Sequence, residues 1–372
     1  MTYKLKLLAA GSGLALAALG ASPVFASGTT AGTVISNTAK VDYTVGGVAQ
    51  TQLSASNTLT VDRKIIVTTA VVDAAPVSVT PGQAGTATSP VLVFSVTNSS
   101  NAVIDIGLAA VAQASGVAVG FSKTSNFVAG NTYVFHTGSV AGPIVTYLDE
   151  VPIDQVTNIY VVNTTPTAIP LTATNGQFAG VTLTATAEQS GAAGTQGAVV
   201  TQNSSGNWGG ATVLNNVLAE PAGFGTDVKN DGVSVASDVY VVSAPVLSVN
   251  KLSYVVWDPV NLTTSPKAIP GAIVRYCIVV TNAAGGASAT PTVGDTLPGQ
   301  VTAVANSLFL NGTNSTGPLT CNTSFAGFTT GTGASGAAAA TQITTATTSI
   351  SNALNALAGG SSETLYFDVT IN

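Results

Sequence analysis

Apolar and polar residues alternate with a period of two along much of this chain. The apolar residues Leu92, Phe94 and Val96 fall on one face of the first clear segment, which ends at an Asn-Ser-Ser-Asn turn. Residues 273–282 and 365–371 show the same alternation. This period, bounded by turn residues, is typical of antiparallel strands with one buried face. The pattern therefore predicts an all-β protein.

An internal repeat is suggested by a Val-Thr-Asn ending that occurs at two strands. A later apolar strand lies at the same distance from each ending: Ala185 is 87 positions after Asn98, and Val369 is 87 positions after Asn282. About 345 residues remain after the leader proposed below, which is too long for one sandwich. We therefore expect two tandem β-sandwiches.

The first 26 residues have the form of a secretory signal. Lys4 and Lys6 give a basic start, residues 7–19 form an apolar run, and cleavage is expected after Ala26, so that the mature chain begins at Ser27. The apolar run falls short of the roughly 20 residues that span a bilayer. We expect an exported protein of the periplasm, cell surface or extracellular space, with no transmembrane segment after signal cleavage.

Turn residues and composition divide the rest of the chain. A β-hairpin with a Gly46-Gly47 turn comes first, and a Gly- and Asn-rich connection containing one strand separates the two sandwiches. Whether this connection packs on the first sandwich is open at this point. The expected parts are the hairpin at 27–62, the first sandwich at 63–190, the connection at 191–244 and the second sandwich at 245–372.

Charge and composition argue against several classes of function. Charged residues are 7% of the chain, and without Lys4 and Lys6 the remaining 8 basic residues face 16 acidic ones, a net charge of about −8. Such a surface repels phosphate backbones, so we expect no nucleic-acid partner. The single histidine, His136, lies in an alternating segment and is interpreted as a strand residue, not as a catalytic base. Asp149, Glu150 and Asp154 offer paired carboxylates, but a solvated loop is the simpler explanation. We expect no enzymatic activity.

One further group of residues raises the question of a bound calcium ion. Asp227, Asn230 and Asp231 supply oxygen ligands of the kind that calcium prefers. Lys229 opposes a cation there and the spacing is not that of an EF-hand, so an Asp/Asn-rich turn is favoured. Neither a metal nor a cofactor is expected.

The two tryptophans are candidates for stacking on a sugar. Trp257 lies near a strand end, where packing is the simpler role. Trp208, in the Gly-rich connection, is the better candidate for an exposed aromatic residue.

The two cysteines, Cys277 and Cys321, favour a disulfide, because an even number of cysteines in an exported chain is usually oxidised. Closing this loop would stabilise the second sandwich by about 3–4 kcal/mol. Cys277 points away from the face of Tyr276 and Ile278, which places the bond on the outer side of its sheet. Two separate buried thiols are the alternative.

Several motifs of the second half occur in a recognisable order. They are Asp258-Pro259-Val260, Ile269-Pro270-Gly271-Ala272, the strand from Val274 to Asn282, Gly294-Asp295-Thr296-Leu297-Pro298, Leu357-Ala358-Gly359-Gly360 and the last strand, Leu365 to Ile371. This order resembles the prokaryotic conserved-repeat domain, domain of unknown function eleven, of surface and secreted proteins. The resemblance covers about a third of the chain, and the first half matches more loosely. It implies immunoglobulin-like sandwiches and a place in the cell envelope or outside the cell, and it brings no catalytic residues.

The sequence as a whole favours a non-catalytic, exported structural or adhesive protein of the bacterial envelope or surface. Its expected partner is an envelope or surface component, or a second copy of itself. The alternative is an extracellular binding module for glycan or another envelope component.

Overall fold

The computed structural model describes residues 28–203, 214–316, 337–338 and 343–372, with only the backbone at 311–316 and 337–338. Its elements are β-strands and one short 3-10 turn at Gly120–Ser122. The prediction of an all-β fold is confirmed. The expected signal, residues 1–26, lies outside the described residues. No helix in the described parts of the chain has the length and apolar character needed to cross a bilayer.

A two-stranded antiparallel ribbon comes first. Its strands are β1 (Val34–Val41), β2 (Thr44–Val45), β3 (Val48–Ala49) and β4 (Leu53–Thr60). β1 pairs with β4, and β2 pairs with β3 at the tip. Gly46 and Gly47 form the tip with φ of +58° and +87°, backbone angles that favour glycine and suit a tight hairpin turn.

The first sandwich contains the strands that follow the ribbon. They are β5 (Arg63–Ile65), β6 (Val67–Val71), β7 (Val77–Val79), β8 (Val91–Asn98), β9 (Ile104–Ala112), β10 (Ala118–Val119), β11 (Lys123–Thr124), β12 (Tyr133–Thr137), β13 (Ile144–Val145), β14 (Tyr147–Val151), β15 (Val156–Asn163), β16 (Phe178–Gln189), β17 (Asn216–Leu218) and β18 (Val233–Val242).

Two five-stranded sheets form this sandwich, in the orders β13-β12-β15-β8-β6 and β14-β9-β16-β18-β7. Leu92, Phe94 and Val96 of β8 are completely buried between the sheets, as the alternation of β8 predicts. On the facing sheet, alternate residues of β16 such as Val181 and Leu183 are also completely buried. Burying side chains of this size contributes about 1.5–3 kcal/mol each, so this shared core supplies much of the stability.

The described parts of the connection, 191–203 and 214–244, belong to the first sandwich. Its strand β18 forms a long antiparallel ladder with β16, from Phe178 paired with Val241 to Thr186 paired with Val233. On its other side β18 pairs in parallel with β7, and β17 pairs in parallel with β5. The described strands of the sandwich therefore pair antiparallel except in these two short ladders. In both, a strand of the connection lies beside a strand from the beginning of the sandwich.

The second unit contains β19 (Leu247–Trp257), β20 (Ile273–Asn282), β21 (Thr292–Thr296), β22 (Val301–Ala303), β23 (Phe309–Thr316), β24 (Ala337–Ala338), β25 (Ser349–Ala353) and β26 (Ser361–Ile371). Its main sheet has the order β19-β20-β26-β23-β24, with β22 also beside β26, and β21 pairs with β25 as a separate two-stranded sheet. Buried residues of both sheets, including Ile278, Leu365, Val293 and Ile350, form the second core.

The repeated offset of 87 positions does not mark equivalent strands. In the second unit, β20 and β26 are neighbours, and Val274 pairs with Val369. In the first sandwich, β8 and β16 lie in opposite sheets. The expectation that this offset marks a structural repeat is therefore wrong, because the same apolar alternation suits any strand with one buried face.

What does recur is the role of the asparagine that ends the strand. Asn98 is completely buried, and its Nδ2 donates to the carbonyls of Ala102 and Val151 at 3.0 and 2.9 Å. Asn282 is also completely buried, and its Nδ2 donates to the carbonyl of Leu357 at 3.0 Å. Each amide satisfies loop carbonyls that would otherwise be buried without a donor. The Val-Thr-Asn motif is thus a means of fixing the loops around a strand end.

Asp258, in the first of the recognised motifs, closes a turn after β19. Its Oδ1 accepts hydrogen bonds from the backbone N–H groups of Val260 and Asn261 at 2.7 and 2.6 Å, and its Oδ2 accepts one from Lys267 N–H at 2.5 Å. Burial alone would raise the pKa of Asp258, but these donors stabilise the charged form and lower the pKa to about 2. The Asp-Pro motif therefore organises the loop between β19 and β20.

Candidate functional site

The ribbon β1–β4 is amphipathic. Because side chains alternate between the faces of a strand, the register places one set of cross-strand pairs on an apolar face: Ile35/Leu59, Asn37/Asn57, Ala39/Ala55 and Val41/Leu53. The opposite face carries mainly hydroxyl groups: Val34/Thr60, Ser36/Thr58, Thr38/Ser56 and Lys40/Ser54. The ribbon therefore has one face suited to contact with another apolar surface.

This apolar face is uncovered. Ile35 and Leu59 are 46% and 55% exposed, and Val41 and Leu53 are 55% and 57% exposed. Fully burying such a side chain contributes about 1.5–3 kcal/mol, so covering four that are half exposed would contribute roughly 4 kcal/mol. An isolated two-stranded ribbon in water is marginally stable. A covering surface would therefore stabilise it.

The base of the ribbon is fixed to the first sandwich by Asn101, which is 5% exposed. Its Nδ2 donates to the carbonyls of Thr29 and Asp62 at 3.0 and 2.9 Å, one on each side of the ribbon. Its Oδ1 accepts a hydrogen bond from Lys64 N–H at 2.8 Å, and its backbone carbonyl accepts one from Ala31 N–H at 2.9 Å. The chain segments that enter and leave the ribbon are thus both held at its base, and the rest of the ribbon is exposed along its length.

A groove of about 420 Å³ lies in the second unit, between β19 and β21. Its floor and walls are mainly apolar and come from three strands and a preceding loop: Leu247, Val249, Lys251, Ile278, Val280 and Pro291 to Asp295. At one end, Lys251 Nζ lies 2.8 and 2.7 Å from the two carboxylate oxygens of Asp295 and 4.7 Å from the ring centre of Tyr276. A partly exposed ion pair therefore joins the two sides of the groove.

Both strands beside this groove have an open edge in the described part of the chain. There β19 pairs only with β20, and β21 pairs only with β25. Open strand edges carry unpaired N–H and C=O groups that can accept another strand. The groove thus combines apolar side chains with backbone groups available for pairing.

A buried carboxyl pair lies in the first sandwich and was not predicted from the sequence. Asp238 of β18 is completely buried, and its Oδ1 accepts a hydrogen bond from Val239 N–H at 2.7 Å. The carboxyl group of Asp238 also forms a side-chain hydrogen bond with Asp73, whose Oδ2 accepts Val93 N–H at 2.8 Å. Burial first, and then the hydrogen bond to Asp73, raise the pKa of Asp238 to about 8, so Asp238 is protonated at neutral pH.

Two tyrosine hydroxyls belong to the same buried region. The hydroxyls of Tyr133 and Tyr240 are buried and have no hydrogen-bond partner among the described residues. Burial raises the pKa of both groups, and for Tyr240 the nearby Tyr133, Asp238 and Asp73 raise it further. The sequence did not predict the contact of Asp238 with Asp73, because Asp238 is a single acidic residue in an alternating segment and Asp73 lies at a strand end far away in the chain.

The sequence-predicted catalytic candidates are engaged in local structure. His136 of β12 is 7% exposed, and its Nδ1 lies 2.8 Å from the carbonyl of Gly142. Asp149 accepts a hydrogen bond from Gly194 N–H at 2.8 Å, and Glu150 accepts one from Ser190 Oγ at 3.4 Å. The arrangement holds neighbouring loops to the edge of β14.

The candidate calcium ligands form hydrogen bonds within their own turn. Asp227 Oδ2 accepts a hydrogen bond from Gly223 N–H at 2.5 Å, and Asp231 Oδ1 accepts one from Val233 N–H at 2.9 Å. Asn230 has a φ of +62°, a left-handed conformation that asparagine tolerates. Across the described ranges, no three His, Cys, Asp or Glu side chains come together as a set of metal ligands.

Cys277 lies on the face of β20 opposite the second core, as predicted, and it is completely buried. It packs with Tyr366 and the partly buried Leu252 and Phe309. Cys321 lies outside the described residues, so the disulfide stays a prediction. Trp208 is likewise outside the described residues, whereas Trp257 lies half-buried at a register shift that ends β19.

A buried ion pair shares this outer face and was missed by the sequence analysis. Arg275 Nε and Nη2 donate to the two carboxylate oxygens of Asp368 at 2.8 and 2.9 Å, and the two residues are register partners on β20 and β26. Burial raises the pKa of Asp368, against the opposing effect of Arg275. The guanidinium also lies 5.4 Å from the ring centre of Tyr366. A bidentate pair of this kind orients the two strands.

Comparisons with known proteins add little to this geometry. No protein-family model matches the chain, and no curated protein matches it. Among solved structures, one similar chain is a Corynebacterium diphtheriae protein described as membrane-anchored, with 12% identity, 91% of this chain and 89% of that chain covered, and a TM-score of 0.16. A similarity at this TM-score does not establish a shared fold.

Proposed function

We propose that this chain is a non-catalytic, exported structural or adhesive protein of the bacterial envelope or surface. The observation that carries the proposal is the exposed apolar face of the ribbon β1–β4. A ribbon that is fixed at its base and uncovered over its length is suited to hold another molecule, and exposed apolar patches often mark such contacts.

Other features support the proposal. The leader predicted at 1–26 favours export. The resemblance to the prokaryotic conserved-repeat domain, which rests on the order of motifs from Asp258 to Ile371, favours an envelope or surface location. The candidate catalytic residues serve local structure: His136 and the carboxylates of Asp149 and Glu150 bond to nearby loops.

Fractionation of the native bacterium tests the location and the role of the ribbon together. The mature protein should occur in the envelope or at the surface, accessible to protease on intact cells. Leu59→Ser on the apolar face should release it into the medium, whereas Thr58→Ser on the hydroxyl face should leave its retention unchanged. An unprocessed chain in the cytosol would overturn the proposal, as would turnover of a glycan or peptide by the purified protein.

A further inference from the structure

The groove of the second unit has the shape and the open strand edges needed to accept one more strand. Val249 of β19 and Val280 of β20 are register partners on the same face of the main sheet. Val280 is 3% exposed because the layer that contains β21 covers it, whereas Val249 is 68% exposed. Leu247, two residues before Val249 on the same face, is 43% exposed. Among the described residues of this unit, the covering layer therefore ends before it reaches β19.

The occupant of this place can be deduced from its walls. The open edge of β21 offers backbone N–H and C=O groups, and the uncovered face of β19 offers apolar side chains. An extended segment that pairs through its backbone and turns alternate apolar side chains toward β19 satisfies both walls. Addition of such a strand to an open edge is a common mode of recognition between proteins.

The ribbon supplies a strand of this kind. Along β1, one face carries the apolar residues Ile35, Ala39 and Val41 together with Asn37, and the strand pairs only with β4 among the described residues. The outer edge of the ribbon is therefore open, as is that of β21. Within its own molecule the ribbon is exposed along its length and does not occupy the groove. A ribbon in the groove must then come from another molecule.

We infer that the ribbon β1–β4 of one molecule fills the groove between β19 and β21 of a second copy of this chain. This inference rests on the proposed structural role. The donor surface and the acceptor surface are different parts of the chain, so the contact is heterologous. In a pair of molecules joined in this way, one keeps a free ribbon and the other a free groove, so further copies can add. Such contacts close into rings or continue as open chains of subunits.

The open edge of β21 favours this contact over the pairing of two ribbons. A ribbon in the groove can pair its own open edge with that of β21 while its apolar face covers the exposed side chains of β19. Two ribbons placed face to face would use only the 8 residues of each apolar face. They would also leave the groove of each molecule open.

Two blocked variants of the mature chain test the inference. Leu59→Lys blocks the apolar face of the ribbon, and Val249→Lys blocks the groove at a position that is already exposed. Size-exclusion chromatography with light scattering should show concentration-dependent oligomers for the unmodified chain and monomers for each variant. A 1:1 mixture of the variants should give a heterodimer and no larger species, because one intact ribbon and one intact groove remain.

The control is Thr58→Lys, on the hydroxyl face of the ribbon, which should assemble like the unmodified chain. Circular dichroism should show the same strand content for all variants. Assembly that persists in Val249→Lys would show ribbon-to-ribbon contact and overturn the inference. An unmodified chain that stays monomeric at every concentration would also overturn it. If that monomer is still found on the cell surface, the inference fails while the proposed function stands.

Discussion

The carboxyl pair of Asp238 and Asp73 makes the stability of the first sandwich depend on pH. In the unfolded chain, Asp238 has an ordinary pKa of 3.8, whereas in the folded protein its pKa is about 8. Between these values the unfolded state loses a proton that the folded state keeps. Since stability rises with pH only where the unfolded state binds more protons, this group makes stability fall as pH rises from about 4 to about 8.

The magnitude follows from the size of the pKa shift. Each unit of difference corresponds to about 1.4 kcal/mol, so the contribution of Asp238 falls by about 6 kcal/mol across the window. Total stabilities of domains are about 5–15 kcal/mol, so such a change is large. In Asp238→Asn the side chain cannot ionise. Its amide can still donate to Asp73 and its oxygen can still accept Val239 N–H, so the buried contacts are kept.

Urea unfolding of the wild type and of Asp238→Asn at intervals from pH 4 to pH 9 measures this effect. We expect the variant to gain on the wild type by about 1.4 kcal/mol per pH unit up to about pH 8, and to gain no more above it. Asp42→Asn, on the exposed ribbon, is the matched control and should give no such trend. A difference between Asp238→Asn and the wild type that is independent of pH would refute the assignment of the proton to Asp238.

Two other outcomes follow from the structure. Asn101→Ala should lower the free energy of unfolding by about 1–3 kcal/mol, because it leaves buried groups without partners. It should also speed hydrogen exchange at the Lys64 amide, whereas Asn37→Ala on the exposed ribbon should not. Unchanged exchange at Lys64 would contradict the role of Asn101 as the anchor. Mass spectrometry of an unreduced digest should find Cys277 joined to Cys321, and Cys277→Ala should lower the stability of the second unit by about 3–4 kcal/mol; two free thiols in the native protein would reject the bond.

The sequence was most informative where structure depends on neighbouring residues. The alternation of Leu92, Phe94 and Val96 predicted a strand with one buried face, and these three side chains are completely buried. Gly46 and Gly47 predicted a tight turn, and both have the positive φ that such a turn requires. Side-chain alternation and turn conformation are properties of short segments, so they can be inferred without knowledge of the fold.

The pairing of strands was decided only by the tertiary structure. Residues 236–242 showed a strand pattern, but only the fold places that strand between β16 and β7 in the first sandwich. The 87-residue offset misled for the same reason, because a period of two does not specify a neighbour. The burial of Asp238 beside Asp73 is also a result of long-range pairing, and no local pattern indicates it.

The candidate site divides in the same way. The sequence by itself predicted a hairpin that turns at Gly46-Gly47, because the two strand patterns and the Gly-Gly turn are adjacent in the chain, and the structure has this hairpin between Val34 and Thr60. Only the tertiary structure decided that both faces of the ribbon stay exposed and that a groove opens between β19 and β21. Exposure and cavities depend on which distant segments pack together, and the covering of a surface is a property of the whole fold.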